Sequence, residues 1–238
     1  MISYGFSFLS LALMRTPFQE ARARDTAPLR VQVAEGLRFL WGQPFVRTTA
    51  ILWSLGNFAG PGVLFVLVVV GRRQGLTRGA IGALLALFGG GLLVGSLLGP
   101  LVRRLLPVRA ILLAEFWSWL GSALFIAWPN VYVLAVAMVP VSLAIPNSDS
   151  VVDGYRLAIT PDRLVGRVES VRTTIAVSAA PLGPLVAGVL LERVSAQAAV
   201  AVFTVFNVAL ALWGTLSPAI RDAPRLERLD ELGSQHSR

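Results

Sequence analysis

The stretch TTAILWSLGNFAGPGVLFVLVVVG, residues 48–71, runs for 24 residues without one ionisable side chain. At about 1.5 Å of rise per residue, a helix of that length crosses a hydrocarbon core of roughly 30 Å. Five more stretches of 18 to 24 residues show the same pattern, at 79–102, 110–128, 131–148, 173–191 and 194–216. Glu115 is the only acidic residue in any of them. Six spans in a chain of 238 residues leave no room for a soluble domain, so the sequence reads as an all-α integral membrane protein.

Composition narrows the function classes. Hydrophobic residues make up 55% of the chain and charged ones 14%, against roughly a quarter charged in soluble proteins. The net charge of +8 comes from Arg alone, with no Lys, and in this context it does not point to nucleic acid. The absence of Cys rules out disulfides and thiolate metal sites, and the only His, His236, stands in the polar tail. No metal and no cofactor are expected. An intramembrane enzyme needs a nucleophile–base pair or a metal, which one carboxylate and no thiol do not supply, so the chain does not read as an enzyme. Residues 1–14 are apolar but lack a basic start and a cleavage site. They reach only about 21 Å as a helix and read as part of a transmembrane helix whose beginning is absent.

Arginine placement orients the chain. Six Arg lie within 15–47, three within 103–109, four within 156–172 and four within 221–238. The alternate connections hold three at 72–78, none at 128–130 and one at 193. The positive-inside rule puts the first set in the cytoplasm. This predicts a multi-pass protein of the plasma (inner) membrane with a cytoplasmic C-terminus. The organisation expected is a partial helix at 1–14, a cytoplasmic loop with an amphipathic helix at 15–46, a six-helix domain at 47–216 and a cytoplasmic polar tail at 217–238. In the loop, Leu29, Val33, Leu37, Leu40 and Trp41 share one helical face, and Pro44 ends the helix. That helix is read either as interfacial or as a short globular linker.

The stretch Glu35-Gly36-Leu37-Arg38-Phe39-Leu40-Trp41, followed by Pro44 and Arg47, resembles the central loop entering the seventh helix of bacterial drug-efflux members of the major facilitator superfamily. Thr160-Pro161-Asp162-Arg163-Leu164-Val165-Gly166-Arg167-Val168 resembles their loop between the tenth and eleventh helices, and Ala180-Pro181-Leu182-Gly183-Pro184 with Gly188 resembles their eleventh helix. Gly99, Leu101 and Arg104 fit the motif between the eighth and ninth helices, with Arg103 where an Asp is common. The resemblance covers the chain as the end of helix six through helix twelve. It implies a six-helix half of the superfamily fold, built as two inverted three-helix repeats. It also implies secondary active efflux of a small amphipathic compound, coupled to protons, with an N-terminal half supplied in cis or in trans. The alternative is a truncated, non-transporting membrane remnant or helix-packing scaffold.

Within that frame several residues stand out. Trp53, Asn57, Gly60 and Pro61 mark the first full span, and a Gly60-Pro61-Gly62 break near the midplane would expose backbone to a substrate path. With Asn147 they are the candidate cavity residues, Asn57 being equally readable as a helix–helix hydrogen bond. Glu115 is either a proton-coupling carboxyl or an interfacial partner of Arg103, Arg104 or Arg109. Arg103, Arg104, Asp149, Asp162, Gly166 and Arg167 form a candidate cytoplasmic gate, with Gly166 expected to supply a turn or close backbone contact. The alternative is an ordinary solvated loop. Gly91, Gly95 and Gly99 form a small-residue stripe, and Pro181, Gly183, Pro184 and Gly188 mark a kinked fifth span. Both groups are expected to pack on the other half, or else within the six-helix unit.

Overall fold

A computed structural model describes residues 28–161 and 163–221. The segment at 1–14, the tail from 222 and Asp162 lie outside the described residues. Among the described residues every regular element is helical, and six helical spans are long and apolar enough to cross a membrane. The chain is thus an all-α membrane unit with the number of spans found in half of a major facilitator fold.

An N-terminal helix α1 (Leu29–Gly42) precedes the spans. Pro44 then opens the first span, α2 (Pro44–Arg73), at a position where a missing N–H costs nothing. Gly75, with φ 78°, is the one described residue in the left-handed region and turns the chain into α3 (Arg78–Leu105). Thr77 caps α3 by accepting from the Ala80 amide at 3.2 Å. Gln74 ties this turn to a later one: its amide nitrogen donates to the Pro129 carbonyl at 2.7 Å, and its oxygen accepts from the Val131 amide at 3.1 Å.

The third span is split into α4 (Val108–Ser118), a 3-10 segment (Trp119–Ala123) and α5 (Leu124–Ala127). Ser118 and Ser122 donate back to the Glu115 and Trp119 carbonyls through this segment, a competition with the ladder that bends helices. The fourth span is α6 (Val131–Ala137) and α7 (Val139–Ile159), parted at Met138 just ahead of Pro140. The fifth is α8 (Val165–Ser178) and α9 (Leu182–Arg193), interrupted around Pro181 as its prolines lead one to expect. The sixth span is α10 (Ala196–Leu216), capped by Ser195 and followed by a short α11 (Pro218–Arg221).

The first span differs from expectation. No break occurs at Gly60-Pro61-Gly62, because α2 runs unbroken through Pro61. Proline removes one ladder bond, here the one to the Asn57 carbonyl, yet Ala59 and Val63 on either side are fully buried and hold the helix on course. One apolar cluster surrounds that point, with Val63, Val66, Leu67, Leu134, Met138, Val141 and Phe203. A second, toward the α2 start, joins Phe45, Leu52, Ile111, Leu112, Phe116 and Leu210.

Glycines set the closest approaches, and they set them inside the unit. Gly91, Gly95 and Gly99 are, with Ile81, the buried residues of α3. A Cβ on Gly91 would overlap Ser142, and one on Gly95 would overlap the Leu143 carbonyl and Pro146, all on α7. The stripe therefore packs α3 against α7, the arrangement within the six-helix unit that the sequence left open. Likewise Gly183 of α9 sits on the Phe58 carbonyl and Gly62 amide of α2, leaving no space for a side chain, while Gly188 lies near Phe65. Gly166 departs from expectation too: it is the second residue of α8, has no positive φ, and a Cβ there meets nothing within 4 Å. What α3 turns outward instead is Leu93, Leu97, Leu101 and Leu105. Only 17% of its apolar window and 22% of that of α8–α9 are buried within the unit, the lowest shares among the six spans.

Candidate functional site

Four spans converge on a cavity of about 230 Å³. Helix α2 contributes Trp53, Gly56, Asn57 and Gly60, set at three- and four-residue intervals so that they share a face. Glu115 comes from α4, Asp149 and Asp153 from α7, and Arg172 from α8, with Trp119 and Ile145 completing the wall. Of the cavity residues expected from the sequence, Trp53, Asn57 and Gly60 line this space; Pro61 does not. Asn147 lies elsewhere, since its amide donates to the Gly95 and Leu143 carbonyls at 3.1 and 2.8 Å and so joins α3 to α7.

Glu115 occupies a different setting from the interfacial ion pair considered above. It is buried at 9% exposure and accepts a hydrogen bond from the Ser148 hydroxyl of α7. Arg103 instead donates to the Ser150 hydroxyl at 2.8 Å, and Arg109 to the Thr215 carbonyl at 3.2 Å. Nor is Glu115 the only acidic group in a span, because α7 continues through Asp149 and Asp153. Trp53, 8% exposed, turns its indole N–H toward the Asp149 carboxylate, but the Nε1 completes no hydrogen bond of ordinary geometry. An N–H so deeply buried ordinarily has an acceptor.

One side of the cavity is closed by charge. Asp153 and Arg156 of α7, with Glu169 and Arg172 of α8, form a four-member network: Arg156 pairs with Asp153 at 3.1 Å and closely with Glu169, and Arg172 pairs with Glu169 at 3.0 Å and Asp153 at 3.5 Å. Thr173 adds a bond to Glu169 at 2.9 Å. Glu169 and Arg172 were not singled out from the sequence. Their spacing of three, opposite Asp153 and Arg156 at the same spacing, is the signal that pairs two helix faces.

None of the described residues expected to form the gate belongs to this network. Asp149 faces the cavity, Arg103 binds Ser150, Arg104 is exposed, and Arg167 pairs with Glu35 of α1. Gly36 of α1 rests directly on the Arg167 backbone, where a Cβ would come within 2.9 Å of the carbonyl oxygen. Helix α1 is thereby strapped to α8. No group of three or more His, Cys, Asp or Glu is placed to hold a metal ion among the described residues.

No protein-family profile matches the chain. Curated relatives do. The multidrug efflux pump Tap of Mycolicibacterium fortuitum is 29% identical over 231 residues, 94% of this chain and 54% of the pump. The pumps of the same name from Mycobacterium bovis and Mycobacterium tuberculosis are 28% identical over 232 residues, 92% of this chain and 53% of theirs. The chain spans about half the length of the curated relatives it matches. Over nearly all of its own length, this six-span unit is similar to the C-terminal half of multidrug efflux pumps of the major facilitator type.

Proposed function

We propose that the chain works as the C-terminal half of a secondary active exporter of small amphipathic compounds, coupled to protons, with its C-terminus in the cytoplasm. A second six-helix half, in the same chain or another, supplies the facing wall. The observation that carries this reading is the cavity itself. Two carboxyls, Glu115 and Asp149, stand in a largely apolar unit without an ion pair within 4 Å among the described residues, and intramembrane carboxyls that are expensive to bury mark ion and substrate pathways. The named activity of the relatives agrees with it.

The chemistry follows from the side chains. Glu115 and Asp149 take up and release protons, and Ser148 fixes the Glu115 carboxyl toward α7. Trp53 and Trp119 offer apolar faces, and the Asn57 amide and the Trp53 N–H offer directional polar contacts, the mixture that small-molecule sites use. The Asp153–Arg172 pair opens and closes the side nearest the network.

The test is efflux of a fluorescent amphipathic compound from proteoliposomes holding both halves, driven by an imposed pH gradient. The Glu115→Gln variant should lose at least about tenfold in gradient-driven flux, the scale of a group used in a proton-transfer step, while substrate still binds. Unchanged flux in the variant removes Glu115 from coupling. Absence of flux from the wild-type pair leaves the helix-packing scaffold as the better account, one the self-contained glycine contacts of α3 and α9 would suit.

A further inference from the structure

A second hollow, of about 260 Å³, lies between α1 and the turn that precedes α8, lined by Glu35, Arg38, Phe39, Arg163 and Leu164. Its acid is already committed, since Glu35 pairs with Arg167. Arg38 and Arg163, both exposed, enter no hydrogen bond or ion pair among the described residues. Two guanidinium groups therefore stand beside two apolar side chains, Phe39 and Leu164. On the same helix Val33, Leu37 and Trp41, four residues apart, remain 46%, 40% and 46% exposed. An exposed apolar stripe flanked by Arg is how a helix lies in the headgroup layer of a bilayer, and α1 leads directly into a membrane span.

We propose that this hollow is a binding site for the phosphate headgroup of an anionic phospholipid. Arg38 and Arg163 pair the phosphate oxygens, since the planar guanidinium fork matches that geometry. Phe39 and Leu164 cover the glycerol and the first acyl carbons. The apolar part of the lining and the exposed apolar stripe of α1 favour a lipid over a free phosphate, which would use only the arginines. Basic hollows between helices at a membrane surface bind lipid headgroups for this reason. Because α1 is joined to α8 through Gly36 and the Glu35–Arg167 pair, a lipid bridging Arg38 and Arg163 pins both elements. Arg172, which lines the main cavity, rides on α8.

The experiment titrates the purified full chain in neutral detergent with phosphatidylglycerol or phosphatidylcholine and counts bound lipid by native mass spectrometry. Its outcome does not depend on whether the chain transports anything. One phosphatidylglycerol should be held per chain in preference to phosphatidylcholine. The double variant Arg38→Gln/Arg163→Gln should weaken it by about 30-fold, roughly fivefold for each arginine removed at a membrane surface. The double variant Arg104→Gln/Arg221→Gln, which removes the same charge elsewhere, should retain it, and millimolar inorganic phosphate should not displace it. Should the first double variant lose helicity by circular dichroism, Arg163→Gln alone, in the turn, is read instead for its roughly fivefold loss. The proposal is overturned by no preference in the wild type, by equal loss in both double variants (diffuse charge attraction), or by full displacement with inorganic phosphate (a free-anion site).

Discussion

A single missing side chain decides most at Gly183. Any Cβ there would run into the Phe58 carbonyl, a backbone atom that cannot step aside without moving α2. Gly183→Val should therefore destabilise the unit by about 1–3 kcal/mol, the usual cost of overpacking, read as a lower midpoint of thermal unfolding in detergent. Gly166 makes the opposite case. It is helical, exposed and has open space around its Cα, so Gly166→Ala should leave the midpoint unchanged or raise it, by up to about 1 kcal/mol of helix propensity. If both substitutions behave alike, the contacts assigned to Gly183 are wrong. Both glycines are equally plain in the sequence. What separates them is whether another backbone lies opposite, and no local pattern records that.

Helices α7 and α8 are joined to each other by charge. Arg156 is almost fully buried, with its side chain 7% exposed, while its partner Glu169 is 40% exposed. Glu169→Gln would leave Arg156 and Arg172 facing each other with Asp153 as their shared acid. Breaking a fully buried pair costs about 3–5 kcal/mol; the exposure of Glu169 brings in solvent screening, and a loss of about 1–2 kcal/mol is expected. A double-mutant cycle with Arg156→Gln should return a coupling above about 0.5 kcal/mol, and a cycle that closes at zero would show the pair to be incidental. The broken fifth span was legible at this scale, because Pro181 removes a ladder bond there and Pro184 falls in the first turn of the restarted helix, where a missing N–H is tolerated. The continuity of α2 through Pro61 was not, because buried neighbours on both flanks overrode the local cost.

For the molecule as a whole, the proposed orientation rests on 17 arginines in one alternating set of connections against 4 in the other. The native chain has no Cys, which makes the check direct: with single-cysteine variants, a membrane-impermeant maleimide added outside intact cells should label Glu192→Cys and not Arg221→Cys. The reverse labelling would invert the topology and place the charged network on the outer side. Six spans and the arginine bias were readable from the sequence, since each depends on composition within a window of about twenty residues. Tertiary structure alone decided which residues meet. It took Asn147 away from the cavity and to the Gly95 carbonyl, set Glu115 on Ser148 instead of on an arginine, and brought Asp149, Asp153 and Arg172 to one space. It also turned the Gly91–Gly95–Gly99 stripe inward. The physical reason is that hydropathy fixes whether a helix enters the bilayer, whereas its rotation and its neighbours are fixed by close packing and polar pairing between segments far apart in the chain.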